Sequence, residues 1–244
     1  MNDRRVIEVI NAHKSFGDRK ILDGIGMHVC HGEVVSVLGV SGSGKTTLFN
    51  LITKLESVDE GEIRCSSEIG YMLQKDLLMP WKTIEENIAL PLMLKGIKKK
   101  DAINQVGRYL ETFGLEGTGS SYPGALSGGM RQRAALLRTW FISGEIMLLD
   151  EPFSSVDAIT RHRLHKWLQG IIDRMELTIL LITHDVEEAL TLSDRVYIMG
   201  GSPASMAGEM ILTRKGCKGS DKEIIQDKAS ARQMILDILE KDLE

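Results

Sequence analysis

The chain has 244 residues, 43% of them hydrophobic, and a net charge of -4. That length allows one large α/β domain or a core with a small inserted lobe, and the mild acidity predicts neither nucleic-acid binding nor attraction to an anionic membrane. No uninterrupted apolar run reaches the roughly 18 residues of a spanning helix, the start M-N-D-R-R-V-I-E-V-I lacks the apolar core and cleavage site of an export signal, and the scattered Cys30, Cys65 and Cys217 read as three reduced thiols of a cytosolic protein.

In chain order, Val6 to Ala12 reads as a partly alternating strand and Val34 to Leu38 as a strand apolar on successive residues, the pattern of burial on both faces. A helix over Lys45 to Leu55 follows, then strands over Glu62 to Arg64 and Ile69 to Leu73, placed with the first strand near an antiparallel edge. Thr83 to Leu94, Asp101 to Phe113 and Ser127 to Phe141 read as helices. Two more continuous apolar strands, Ile146 to Leu149 and Thr178 to Ile182, are each followed by a helix, Ile159 to Arg174 and Asp185 to Leu192. Val196 to Met199 and Glu209 to Thr213 close the fold as strands, and Asp221 to Leu243 forms an amphipathic helix with Ile224, Ile225, Ala229, Met234, Ile235, Ile238 and Leu239 on its apolar side.

The expected organisation is one α/β domain. Residues 1–78 and 145–215 form a core of mostly parallel strands with an antiparallel β subdomain; 79–144 is an inserted helical lobe, and 216–244 a helical tail.

Each continuous apolar strand runs into polar chemistry at its carboxyl end, where open α/β sheets bind ligands. Gly39, Val40, Ser41, Gly42, Ser43, Gly44, Lys45 and Thr46 fit G-x-x-x-x-G-K-[ST] between a strand and a helix, with Thr47 next in line. Glycines let backbone N–H groups curl around phosphates, and the following helix presents its positive end to the same anion. Lys45 then reaches the β- and γ-phosphates of a nucleoside triphosphate, and Thr46 offers a hydroxyl to Mg²⁺.

The strand over Ile146 to Leu149 ends in Asp150 and Glu151. Read alone they make a solvated acidic turn; behind a phosphate loop they read as a magnesium ligand and a general base for the attacking water. His184 reads either as a structural histidine or as a hydrogen-bond partner of the γ-phosphate or water, and Asp185 as a helix N-cap.

With L-S-G-G-M-R-Q-R at Leu126 to Arg133, the chain resembles the ATP-binding subunit of ABC transporters over residues 6 to 213. I-M-L-L-D-E-P is similar to the Walker B pattern, S-S-V-D at Ser154 to Asp157 to the D-loop, and I-T-H-D to the H-loop. The resemblance implies that Gln74 lies near magnesium at a hinge, that Phe16 stacks on adenine, and that Glu151, His184, Gln74 and Lys45 carry catalysis with Thr46, Gln74 and Asp150 on the metal. It also implies a head-to-tail dimer in which Ser127, Gly128 and Gly129 of one copy complete the ATP site of the other. Further implied partners are an integral membrane permease and, indirectly, an extracytoplasmic solute-binding protein, with no nucleic acid. The implied location is peripheral, on the cytoplasmic face of the cell membrane.

The stretch Q-K-D-L-L-M-P-W-K-T together with Y-P-x-x-L-S-G-G is similar to importer ATPases for nitrate, sulfonates, taurine and thiamine-precursor pyrimidines. Y-M-L-Q-K-D-L-L is nearest the pyrimidine branch. Leu77 to Trp81 reads either as core or, in part, as a groove for a partner's short helix. Gly124 departs from the His that such relatives often carry. The competing reading is a soluble or exporter-type ABC ATPase not coupled to uptake; a single phosphate loop and the lack of a long heptad region count against the soluble kind.

Overall fold

The computed structural model describes residues 4–154, 156–213, 224–225 and 227–241. In chain order its elements are β1 (Arg5–Phe16), β2 (Arg19–Cys30), β3 (Val34–Gly39), α1 (Lys45–Ile52), β4 (Glu60–Cys65), β5 (Ile69–Met72), α2 (Ile84–Leu94), α3 (Lys99–Leu110), α4 (Gly128–Ser143), β6 (Ile146–Asp150), α5 (Ala158–Met175), β7 (Thr178–Thr183), α6 (Val186–Leu192), β8 (Arg195–Gly200), β9 (Ser205–Ile211) and α7 (Lys228–Lys241). They group into two compact units, Met1–Ser67 with Leu177–Glu244, and Glu68–Glu176. Among the described residues no helix is long and apolar enough to cross a membrane.

In the first unit β3 lies between β7 and β8, parallel to both, and β9 runs antiparallel to β8. Every residue of β3, β7 and β8 is buried, which is why V-V-S-V-L-G and T-I-L-L-I-T show no alternation. Their polar members are paired, as burial demands. The Thr178 hydroxyl accepts from Gly32 N–H at 2.9 Å, and Arg195, 2% exposed, donates to Glu33 at 2.8 Å and Glu209 at 2.7 Å. A second sheet, β2-β1-β4, is antiparallel throughout.

The second unit contains the parallel pair β5–β6 with α2 to α5. Helix α2 starts with a reciprocal capping box: the Thr83 hydroxyl accepts from Glu86 N–H at 3.3 Å while Thr83 N–H donates to the Glu86 carboxylate at 3.1 Å. Replacing Thr83 with Ala is expected to cost about 1 kcal/mol of stability by denaturant titration; no loss would show that the cap is not holding α2.

The expected fold class, a P-loop α/β architecture with mostly parallel strands, an antiparallel sheet and inserted helices, is the one found. Individual elements differ. Strand β2 was not among the expected elements, because Gly24 and Gly26 make L-D-G-I-G read as a turn; Gly24 takes φ 69° at a register shift, and beyond it Ile25, Met27 and Val29 alternate inward. Strand β5 pairs in parallel with β6 rather than lying near an antiparallel edge. A Cβ on Gly70 would stand 2.5 Å from the Thr139 carbonyl oxygen, so α4 covers this strand closely. Helix α1 stops at Ile52, and Lys54 turns left-handed at φ 60°.

On α7 the inward residues are Ala231, Ile235, Ile238 and Leu239, whereas Ala229 and Met234 are exposed. Positions 221–223, 226 and 242–243 of that expected helix lie outside the described residues, as does Cys217. Cys65 is a free thiol but Cys30 is disulfide-bonded, so the expectation of three reduced thiols does not hold.

Candidate functional site

In the first unit, β3 delivers the chain into a loop whose Gly39 and Gly44 have no room for a side chain. A Cβ at Gly39 would stand 2.6 Å from the Met199 carbonyl oxygen and 2.8 Å from Ser43 Oγ; one at Gly44 would stand 2.8 Å from Leu22 Cδ2. Gly42 and Gly44 take φ 83° and 81°, the left-handed region that favours glycine. The chain then enters α1 through Gly44, which supplies no side-chain cap, and no acidic residue occupies the first turn. First-turn amides and the positive end of the helix dipole are therefore offered to an anion.

Lys45 is buried, and its ammonium donates to the carbonyls of Gly39 at 2.8 Å and Val40 at 2.7 Å, folded over the same loop. Ser41, Gly42 and Thr46 are exposed and Thr47 is half-buried. The cradle, its lysine and its uncapped helix suit a polyphosphate.

Phe16, 48% exposed, ends β1 with the Lys14 ammonium 5.3 Å from its ring centroid; Asp59 holds that ammonium at 2.9 Å. His184 is exposed immediately after β7. Asp185 is an N-cap, accepting from Glu187 N–H at 2.9 Å and Glu188 N–H at 3.3 Å.

In the second unit β6 ends in Asp150, 8% exposed, whose carboxylate accepts from the Tyr71 hydroxyl at 3.3 Å. Burial and the Asp150 charge both push the Tyr71 phenol above its ordinary pKa. Glu151 takes φ 44°, a conformation a non-glycine residue adopts only under constraint. The constraint is a tight turn in which Ser154 N–H and Oγ–H both donate to the Glu151 carbonyl, at 3.2 and 3.0 Å. The Gln74 side-chain amide donates to the Glu151 carboxylate at 3.1 Å, joining two residues 77 positions apart.

Ser127 is the N-cap of α4, its hydroxyl accepting from Met130 N–H at 3.3 Å. Gly129 must be small there, since a Cβ would approach Thr160 Cγ2 of α5 to 3.2 Å. Gln132 is buried and the Arg133 guanidinium lies 4.9 Å from the Trp167 ring centre, so both brace the helix. Asp157 caps α5, accepting from Ile159 and Thr160 N–H groups at 3.1 and 3.0 Å. The Thr160 bonds hold its carboxyl below the usual carboxylate range.

The set therefore falls in two halves: Phe16, the Gly39–Thr47 loop and His184 in the first unit, and Gln74, Ser127–Gly129, Asp150 and Glu151 in the second. Sequence reading missed the residues that hold the second half in place. Arg131 of α4 donates to Asp76 at 3.2 Å, tying the Ser127 helix to the segment after Gln74. Arg138 donates to the carbonyls of Asp76 and Leu77, at 2.5 and 2.9 Å. Asn87, fully buried, accepts from Met79 N–H at 2.7 Å and donates to the carbonyls of Met79, Lys82 and Thr83. Asn87 follows Glu85 and Glu86 in I-E-E-N-I-A-L, so its burial left no signal in the sequence, and Arg138 and Tyr71 carried none either.

Magnesium suits the oxygen donors that each unit offers. Among the described residues no group of three or more His, Cys, Asp or Glu side chains could hold a metal unaided. Mg²⁺ beside a nucleotide needs only one or two protein oxygens, the rest coming from phosphates and water. In the first unit the exposed Thr46 hydroxyl is one such oxygen, and in the second unit the nearly buried Asp150 carboxylate is another.

Comparison with known proteins supplies the family. Residues 22–154 match the family described as ABC transporter. The chain is 50% identical over 185 residues to the formylaminopyrimidine import ATP-binding protein ThiZ of Halalkalibacterium halodurans, covering 75% of this chain and 74% of that one. It is 41% identical to the aliphatic sulfonates import ATP-binding protein SsuB 1 of Pseudomonas syringae pv. syringae, over 81% and 82% of the two chains. Among solved structures it resembles the ATP-binding cassette MJ0796 in a dimeric post-hydrolysis state bound to ADP and Pi. That match has a TM-score of 0.72 and 26% identity, covering 86% of this chain and all of that one.

Proposed function

This chain belongs to the ABC transporter family as an ATP-hydrolysing subunit, and from that premise we propose that it acts as a head-to-tail dimer, peripheral on the cytoplasmic face, powering import of a small polar solute through a membrane permease. Lys45 and the loop amides bind the β- and γ-phosphates, Phe16 stacks on adenine, and Thr46, Asp150 and Gln74 hold Mg²⁺, which neutralises phosphate charge when bound. Glu151 accepts a proton from the water that attacks the γ-phosphorus as the bond to ADP breaks, and His184 hydrogen-bonds the γ-phosphate or that water. Ser127, Gly128 and Gly129 offer the amides of α4 to the γ-phosphate bound by the other copy.

The observation that carries the coupling is the Gln74–Glu151 hydrogen bond. It links the base to a loop whose next residues are held by Arg138. Arg138 also lines a cavity of about 450 Å³ with Tyr71, Leu90, Pro91, Leu94 and Ile142. Leu77, Trp81 and Leu94 are 54%, 72% and 79% exposed, apolar side chains of the kind that a short helix of the permease would cover. The import direction and, as solute, a pyrimidine precursor, sulfonate or nitrate are supported by the relatives' names; taurine rests on the sequence resemblance alone.

The test is reconstitution of the chain with its permease and solute-binding protein in proteoliposomes. Solute-loaded binding protein is expected to raise ATP hydrolysis several-fold, with uptake of one of these solutes. Hydrolysis indifferent to binding protein, or transport in the opposite direction, would overturn import.

A further inference from the structure

Helix α7 lies beyond residues 22–154, the extent of the family match. It is fixed at several independent points of the first unit. Ala231 and Ile235, both fully buried, join one apolar cluster with Ala189 and Leu190 of α6, Val196 and Ile198 of β8, Met210 of β9, and Leu38, the residue before Gly39. Ile238 seats its Cδ1 where Gly208 lacks a side chain; a Cβ there would be 3.0 Å away. Arg232 pairs with Glu187 of α6 at 3.1 Å. The helix start is capped by Asp227, which accepts from Ala229 and Ser230 N–H groups at 3.2 and 3.1 Å, and upstream of it Ile225 N–H donates to the Ile211 carbonyl at 2.9 Å.

The consequence lies at the other end of α6. That helix is only seven residues long, and its N-cap Asp185 directly follows His184. Its inward side, Ala189 and Leu190, is covered in part by α7. So short a helix keeps its place through tertiary packing rather than intrinsic propensity.

We propose that α7 is a positioning element for hydrolysis, holding α6, and through it His184, in register with the phosphate loop that follows Leu38. This rests on the assigned role of His184. Ile235 is the principal positioning residue, Ile238 the second.

Ile235→Ala opens a cavity beneath α6 without touching any nucleotide-binding residue. Measured on the full chain below its unfolding transition, kcat is expected to fall about five- to tenfold, since small displacements at a reacting centre are costly, while the KM for ATP stays within about twofold. Ile235→Leu, which preserves volume, is expected to restore the rate. Should Ile235→Ala fail to fold, the partly buried Ile238→Ala serves, with the same kcat-selective loss. In a His184→Ala background, single-turnover hydrolysis should drop no further when the α7 substitution is added, because both act through one group. A folded Ile235→Ala or Ile238→Ala variant with native kcat would overturn the brace, as would full additivity with His184→Ala. Native kcat in His184→Ala alone would instead overturn the role assigned to that histidine.

Discussion

Glu151→Gln is expected to lower steady-state ATP hydrolysis by about three orders of magnitude, within the range for losing a general base, while ATP binding persists and the dimer is stabilised. Glutamine matches glutamate in shape, and its side-chain oxygen can still accept the 3.1 Å hydrogen bond from Gln74. The Ser154 bonds that hold the φ 44° turn go to the residue 151 carbonyl, which the substitution leaves alone. The change therefore removes only the capacity to take a proton from water. Nucleotide-dependent association by gel filtration and phosphate release measured side by side give the answer. Hydrolysis at the native rate would remove Glu151 from the role of base.

Ser127→Arg is expected to cut hydrolysis about a hundredfold, the scale of losing oriented donors at a phosphoryl centre, with ATP affinity of the isolated subunit unchanged. Ser127 caps α4 through Met130 N–H, and the following Gly128 and Gly129 leave the helix start unobstructed. Arginine cannot accept that bond, which costs about 1 kcal/mol. It sets a long cation at the positive end of the helix dipole, where a γ-phosphate is proposed to bind. The phosphate loop, Lys45 and Phe16 belong to the other compact unit and keep their own contacts. A fluorescent nucleotide titration of the monomer separates the alternatives: if binding is lost along with hydrolysis, Ser127 acts on its own chain's nucleotide and the shared site is wrong.

The parts of the fold most legible in the sequence were those governed by local pattern. Strands β3, β6 and β7 are buried along their whole length, so each read as a mostly apolar run without alternation, bounded by polar chemistry. Ser127 and Asp185, read as N-caps, are N-caps in the structure; Thr83 and Asp157 cap α2 and α5 without having been read so. What escaped was set by tertiary contact. Strand β2 hid behind Gly24 and Gly26, whose turn-like composition marks a register shift. Strand β5 pairs in parallel with β6 while α4 lies against Gly70, two contacts between residues far apart in sequence. Gln74 and Glu151 were both singled out from their motifs, but their hydrogen bond spans 77 residues and left no trace in either motif. Arg138, which holds two loop carbonyls, looked like any charged residue on a helix.

The most direct test of the shared site mixes two disabled chains. Lys45→Ala removes the ammonium over the phosphate loop, and Ser127→Arg blocks the start of α4; each pure variant is expected to be nearly inactive. In a head-to-tail heterodimer one site combines both lesions, while the other combines an intact phosphate loop with an intact Ser127 helix. Equimolar mixing is therefore expected to recover up to roughly a quarter of the native ATPase rate, the share of intact sites if subunits assort freely. A mixture no more active than its two components would contradict the dimer that closes around ATP.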